Sequence, residues 1–185
     1  RSSAASDVYK RQEIVGAVLG RARRNGHGAR LKAWVEPDLP LLWCDTLLVS
    51  QLLDNLVDNA LKYSPSDAPV EVQARRVDGQ LSLSVADRGP GIAPAWRERV
   101  FDVFQRGEAA RPFDSGGAVE AARQGSGVGL AVCRAIARAH GGDLRLSARP
   151  HGGCRFDFRL PWPPGMPEPV PPSQDCLLYT SPSPR

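Results

Sequence analysis

The sequence has no apolar stretch approaching the roughly 20 residues that a membrane-spanning helix requires, and its N-terminus lacks the charged, apolar and small-residue succession of a signal peptide. A fragment with neither is expected to be soluble and to make no membrane contact. The four cysteines, Cys44, Cys133, Cys154 and Cys176, form no Cys-x-x-Cys pair, and His27, His140 and His151 make no pair at helical ligand spacing. That argues against structural zinc and leaves buried, reduced thiols in a cytosolic setting as the expectation, with an odd disulfide as the alternative. Basic residues cluster only at Arg21, Arg23 and Arg24, and the formal charge of +4 is spread among many acidic residues, so no nucleic-acid partner is expected.

With 185 residues, 42% hydrophobic and 24% charged, the chain has enough material for one domain with a core and too little for two. Arg1 to Gln12 and Cys176 to Arg185 resemble translated sequencing-adapter read-through, and Trp162 to Pro172 is proline-rich. Residues 1–12 and 162–185 are therefore expected to be tails without packing, on either side of a domain at residues 13–161.

The centre of that domain is the stretch Leu52 to Tyr63. At about 100° per residue, Val49, Leu52, Leu53, Leu56, Val57 and Ala60 share one face of a helix, while Asn55, Asn59 and Lys62 fall together at its edge. Asp54 and Asp58 point away and read as a solvated face. Asp45 is placed to cap the helix and Ser64-Pro65-Ser66-Asp67 to end it. An amide at the edge of a core needs partners for its donors and its acceptor. Two of them one turn apart beside a lysine suit a metal-bound polyphosphate. The plain alternative is a helix whose polar residues face water.

Around it, Glu13 to Arg24 has helical spacing, Leu31 to Val35 alternates like a strand, and Leu41 to Cys44 allows a short extended piece. Val70 to Val77 and Leu81 to Val85 alternate on either side of Asp78-Gly79, a hairpin signal. The second run leads into Asp87-Arg88-Gly89-Pro90-Gly91-Ile92. Its glycines let the backbone turn tightly and approach a ligand, and its carboxylate can accept from an exocyclic amine; a simple Gly-Pro-Gly turn is the competing reading. Val100 to Arg106 is a short aromatic segment of the kind that packs in a core. Gly107 to Gln124 has no sustained pattern and reads as a lid or a disordered piece. Gly125-Ser126-Gly127-Val128-Gly129-Leu130 then opens a helix with Val132, Ile136 and Ala139 on its apolar face, and the glycines free first-turn N–H groups to meet an anion. A dinucleotide fingerprint would need a hydrophobic strand before those glycines, and a polar loop precedes them. Asp143 to Ala148 and Cys154 to Leu160 close the domain as a second hairpin.

In order along the chain, Asn55-x-x-x-Asn59-Ala60-x-Lys62-Tyr63, Asp87-x-Gly89-x-Gly91, Phe101-x-x-Phe104 and Gly125-x-Gly127-x-Gly129-Leu130 resemble the N, G1, F and G2 boxes of the ATP-binding catalytic domain of sensor histidine kinases, in the superfamily of gyrase-, Hsp90- and MutL-type ATPases. The resemblance covers about Glu13 to Pro161. It implies an α/β (α+β) two-layer sandwich of the Bergerat type, a mixed β-sheet on one side and helices on the other, with ATP between them under a lid. It also implies that Asn59 binds the Mg²⁺ bridging the ATP phosphates, that Asn55 supports that site, and that Lys62 and Arg106 meet phosphate oxygens. By the same resemblance Tyr63 packs by the adenine, Asp87 accepts from its amino group, and Gly89, Gly91, Ile92 and Phe104 belong to the nucleotide pocket. Gly125, Gly127, Val128, Gly129 and Leu130 form its phosphate end, with Val128 standing where the family often has leucine.

The function so implied is transfer of the ATP γ-phosphoryl to a histidine on a separate dimerisation helix and then to an aspartate of a response regulator, in the cytoplasm, with a membrane-anchored parent by analogy. The hairpin Arg149 to Phe156 ending in Leu160-Pro161 is similar to that of potassium-responsive sensor kinases. An ATPase or serine kinase of the same superfamily is the second reading. Those relatives generally carry a glutamate where this chain has Asn55, which cannot act as a base. A non-catalytic ATP-sensing module is the third. None of the three histidines suits a phosphoacceptor, so the chain alone is expected to bind ATP without phosphorylating itself.

Overall fold

A computed structural model describes residues 8–9, 11–37, 39, 42–102 and 128–161. In chain order the elements are β1 (Val8–Tyr9), α1 (Arg11–Arg24), β2 (Leu31–Val35), β3 (Leu42–Trp43), α2 (Thr46–Tyr63), β4 (Val70–Val77), β5 (Gln80–Ala86), α3 (Gly129–Ala139), β6 (Asp143–Ala148) and β7 (Cys154–Leu160). Short 3₁₀ turns lie at Gly28–Arg30, Pro94–Trp96 and Arg99–Phe101.

Five strands form one mixed sheet in the order β2-β4-β5-β7-β6. β2 runs parallel to β4, and the other pairs are antiparallel. A side-chain period of two gives each strand one apolar face. Val70, Val72 and Ala74 of β4, Leu81, Leu83 and Val85 of β5, and Phe156, Phe158 and Leu160 of β7 are buried in register with one another. They join the buried face of α2, Val15 and Val18 of α1, and Cys133, Ile136 and Ala137 of α3 in a single core. Each fully buried large side chain contributes roughly 1.5–3 kcal/mol of transfer free energy, which sets the helical layer against this face. The protein is thus a two-layer α/β sandwich. The other face of the sheet is polar and closes on itself: Ser82 donates to Asp157, Arg159 pairs with Asp157, and Arg155 bonds Gln73 and Ser84.

Local signals explain the element ends. Asp45 caps α2, its carboxylate accepting from the Leu48 N–H at 3.0 Å. The helix stops at Ser64, which is held extended before Pro65. Asp78 and Gly79 both have positive φ (51° and 71°), the requirement of a two-residue type I′ turn between β4 and β5.

Four expectations are corrected. Val8–Tyr9 pairs antiparallel with Leu42–Trp43 and α1 begins at Arg11, so backbone pairing reaches into the stretch expected to lack packing. The solvated face of α2 is interrupted at Asp54, whose carboxylate forms a two-pronged ion pair with Arg21 of α1 at 2.6 and 3.0 Å. On α3 the buried stripe is Cys133, Ile136 and Ala137; Ala139 is exposed and Val132 half-buried, because both lie about 100° round the helix from the stripe's centre. β5 also runs one residue further at each end than the alternation suggested. The stretch expected as a lid, Gly107 to Gln124, lies outside the described residues, as do most of the two tails. Among the described residues no helix is long and apolar enough to cross a membrane.

Candidate functional site

The second half of α2 carries Asn55, Asn59, Lys62 and Tyr63 along the edge of its buried face, so these side chains span about 12 Å of helix axis. Asn55 and Asn59 are half-buried, and the Asn59 amide makes no hydrogen bond among the described residues. At one end of this row stands the start of α3: a side chain at Gly129 would lie 4.0 Å from the Asn55 amide carbon. Val128, the residue preceding α3, offers no side-chain cap to the first-turn N–H groups, and the first helical bond described is Val132 N–H to Val128 O. First-turn donors without a side-chain cap among the described residues, and the positive end of the helix dipole, make this end suited to a polyanion.

The other end is the strand exit Asp87–Gly91. Gly89 passes so close to the end of α2 that a β-carbon there would sit 2.9 Å from the Tyr63 carbonyl oxygen, and Gly91 has φ of +80°. The Arg88 N–H is held by the hydroxyl of buried Ser64, which fixes the strand exit to the helix end. Asp87 is 6% exposed. Its Oδ1 accepts from two backbone groups, Gly89 N–H at 2.7 Å and Cys154 N–H at 3.1 Å. Its Oδ2 takes no hydrogen bond among the described residues. A buried carboxylate with one oxygen secured and the other unengaged is a ready acceptor for an amino group presented from outside. Tyr63, 40% exposed, lies at this end with Lys62 Nζ 5.3 Å from its ring centroid.

Two of the residues expected here belong largely to the core. Ile92 and Leu130 pack against it, and the Ile92 carbonyl accepts from Arg97. Phe101 is buried, edge-on to Phe156 with centroids 6.2 Å apart, and the Arg134 guanidinium covers its ring. Phe104, Arg106, Gly125 and Gly127 lie outside the described residues.

Residues 44–164 match the model of the family described as histidine kinase-, DNA gyrase B-, and HSP90-like ATPase. The chain belongs to this family. Among the relatives of this histidine kinase-type ATPase domain, the adaptive-response sensory kinase SasA of Trichormus variabilis is 33% identical over 150 residues, 80% of this chain and 34% of that protein. Sensor protein KdpD of Escherichia coli is 35% identical over 150 residues, 81% of this chain and 16% of its own length. The structure of full-length ShkA in complex with AMPPNP superposes with a TM-score of 0.69 at 25% identity, covering 86% of this chain and 32% of that one. The chain thus spans about a third or less of the length of the curated relatives named here. SasA and KdpD stand at similar identity, so the likeness of the Arg149–Phe156 hairpin to one kinase subtype singles out neither.

Sequence reading of this histidine kinase-type domain missed Ser64, Arg149, Gly153 and the backbone of Cys154. All four act on the Asp87–Arg88 corner, and three come from the β6–β7 hairpin, more than sixty residues away in the chain. The one signal available was Gly152-Gly153, a pair that permits the positive φ values of 93° and 100° found there.

Proposed function

We propose that the domain binds Mg²⁺-ATP along α2, with adenine at the Asp87 end and the phosphates at the start of α3, and that it serves as the catalytic module of a two-component sensor histidine kinase. The half-engaged carboxylate of Asp87 carries this reading: its Oδ1 is secured by the Gly89 and Cys154 N–H groups, and an Oδ2 without a partner among the described residues suits an exocyclic amine. The other residues fit the same ligand. Asn59 offers a neutral amide oxygen of the hard type that Mg²⁺ accepts, Asn55 stands beside the helix start, and Lys62 and Arg106 supply positive charge for phosphate oxygens. The bound metal would neutralise charge developing on the transferred phosphoryl group.

What the chain's own residues contribute is placement. Gly89 and Gly91 admit the base, the α3 N-terminus orients the phosphate end, and Asn55 cannot take a proton from water, which favours transfer to a positioned acceptor over hydrolysis. That acceptor would be a histidine on a dimerisation hairpin, with a response regulator as the next recipient, on the cytoplasmic side where ATP is available.

Incubation of the chain with γ-labelled ATP and Mg²⁺, alone and with a phosphoacceptor helical hairpin supplied in trans, tests the reading. The expected result is acid-labile, base-stable label on the hairpin only, lost in Asn59→Ala. Label on this chain alone, or release of phosphate without transfer, would overturn it.

A further inference from the structure

Asp87 is gripped by the β6–β7 hairpin. Its N–H donates to the Cys154 carbonyl at 2.9 Å, its Oδ1 accepts from the Cys154 N–H, and its own carbonyl accepts from Arg149 Nη1 at 3.0 Å. Among the described residues, three of its four hydrogen bonds therefore come from the β6–β7 hairpin, and the fourth comes from Gly89. The hairpin loop is folded for close approach. His151, Gly152 and Gly153 all have positive φ, Arg149 N–H closes the loop on the Gly153 carbonyl at 3.1 Å, and a β-carbon on Gly153 would overlap the Asp87 carbonyl oxygen. Arg149, 14% exposed in its side chain, uses its second guanidinium nitrogen to pair with Glu71 of β4 at 2.9 Å. One side chain thus ties the hairpin to the exit of β5 and to β4.

We propose that Arg149 is a positioning residue for base recognition: by holding the Asp87 carbonyl and the loop that carries Cys154, it sets the direction of the unengaged Oδ2 and so the preference for an adenine ring. The proposal rests on the reading of Asp87 as the base acceptor. Arginine suits the task because its planar fork bonds a carbonyl and a carboxylate at once, which a lysine ammonium on a flexible stem does not reproduce. The phosphate end, at Asn55 and Gly129, shares no contact with Arg149 and should not register the change.

The test measures affinities of the 185-residue chain for ATP and for inorganic triphosphate, both with Mg²⁺, in wild type, Arg149→Ala, Arg149→Lys, Glu71→Gln and Asp87→Asn, beside thermal melts. Arg149→Ala should weaken ATP about tenfold and leave triphosphate unchanged, with partial recovery in Arg149→Lys and a smaller loss of the same kind in Glu71→Gln. Asp87→Asn should lose the same selectivity. If Arg149→Ala fails to fold, Glu71→Gln and Arg149→Lys decide alone. Equal weakening of both ligands, or a lower melting temperature with unchanged selectivity, would overturn the positioning role while Asp87→Asn still shows its loss. Unchanged selectivity in Asp87→Asn would instead overturn the base-acceptor reading itself.

Discussion

Cys133 stands on α3 one turn behind the candidate phosphate end, its Sγ donating to the Leu52 carbonyl of α2 at 3.5 Å. Burial pushes its thiol up to about 12, against a weaker opposing pull from the Asn55 amide. Cys44 and Cys154 are raised to about 11, by burial first and then by the neighbouring Asp45 and Asp87 charges. The sign follows from linkage. A thiol whose pKa is higher folded than unfolded lends stability that is complete below the ordinary thiol value of about 8.5 and is lost as pH climbs toward the folded value. Unfolding free energy measured by urea titration should therefore fall from about pH 9 upward, less steeply in Cys133→Ala than in wild type. Parallel pH curves for the two proteins would show that this thiol ionises as easily in the fold as out of it. The expectation of buried thiols was legible from their wide separation and the lack of a Cys-x-x-Cys pair; the contact with Leu52 was not, since residues 81 positions apart leave no trace in periodicity.

At the scale of elements, α2 was the most legible part of the chain, its six-residue buried face and its Asp45 cap both readable from spacing. The bounds of β2, β4, β6 and β7 likewise match those expected from the sequence, β2 and β4 from their alternation and β6 and β7 from the hairpin they form about His151-Gly152-Gly153. What periodicity does not encode is the partner that holds an element's end. Arg30 illustrates this: its guanidinium donates to the carbonyls of Leu61 at 3.3 Å, Pro65 at 2.7 Å and Ala68 at 3.2 Å, closing the C-terminus of α2 and the turn beyond it. A cation there also suits the negative end of the helix. Arg30→Met keeps the apolar stem and removes the donors, and it should lower stability by about 1–3 kcal/mol with an unchanged urea m-value. An unmoved midpoint would mean that water serves those carbonyls equally well. The face of α3 was misread for a related reason: alanines lie all round the helix, and only packing on α2 chooses which of them are buried.

For the whole molecule, fold class and box order were legible, whereas the relative placement of the helices was not. His140 shows how that placement is secured. At the end of α3 its Nδ1 lies 2.8 Å from the Ile136 carbonyl, and its Nε2 accepts from the Asp45 N–H at the start of α2 at 3.1 Å. One ring therefore joins the tail of one helix to the head of the other, with its proton on Nδ1. His140→Ala should cost about 1–3 kcal/mol, read as a lower denaturation midpoint; equal midpoints would show the bridge to be incidental. The sheet carries a different consequence. β4 and β5 pair across a two-residue turn and β6 and β7 across a short loop, but β5 meets β7 only after roughly seventy intervening positions are closed, an entropic cost about 3 kcal/mol above that of a tight turn. Refolding is therefore expected to form the two hairpins early and to be limited by their docking along β5–β7, on a timescale set by topology more than by stability. Asp87 meets Cys154 and Arg149 only in that step, so the corner proposed to receive a base is expected to be the last part of the molecule to form.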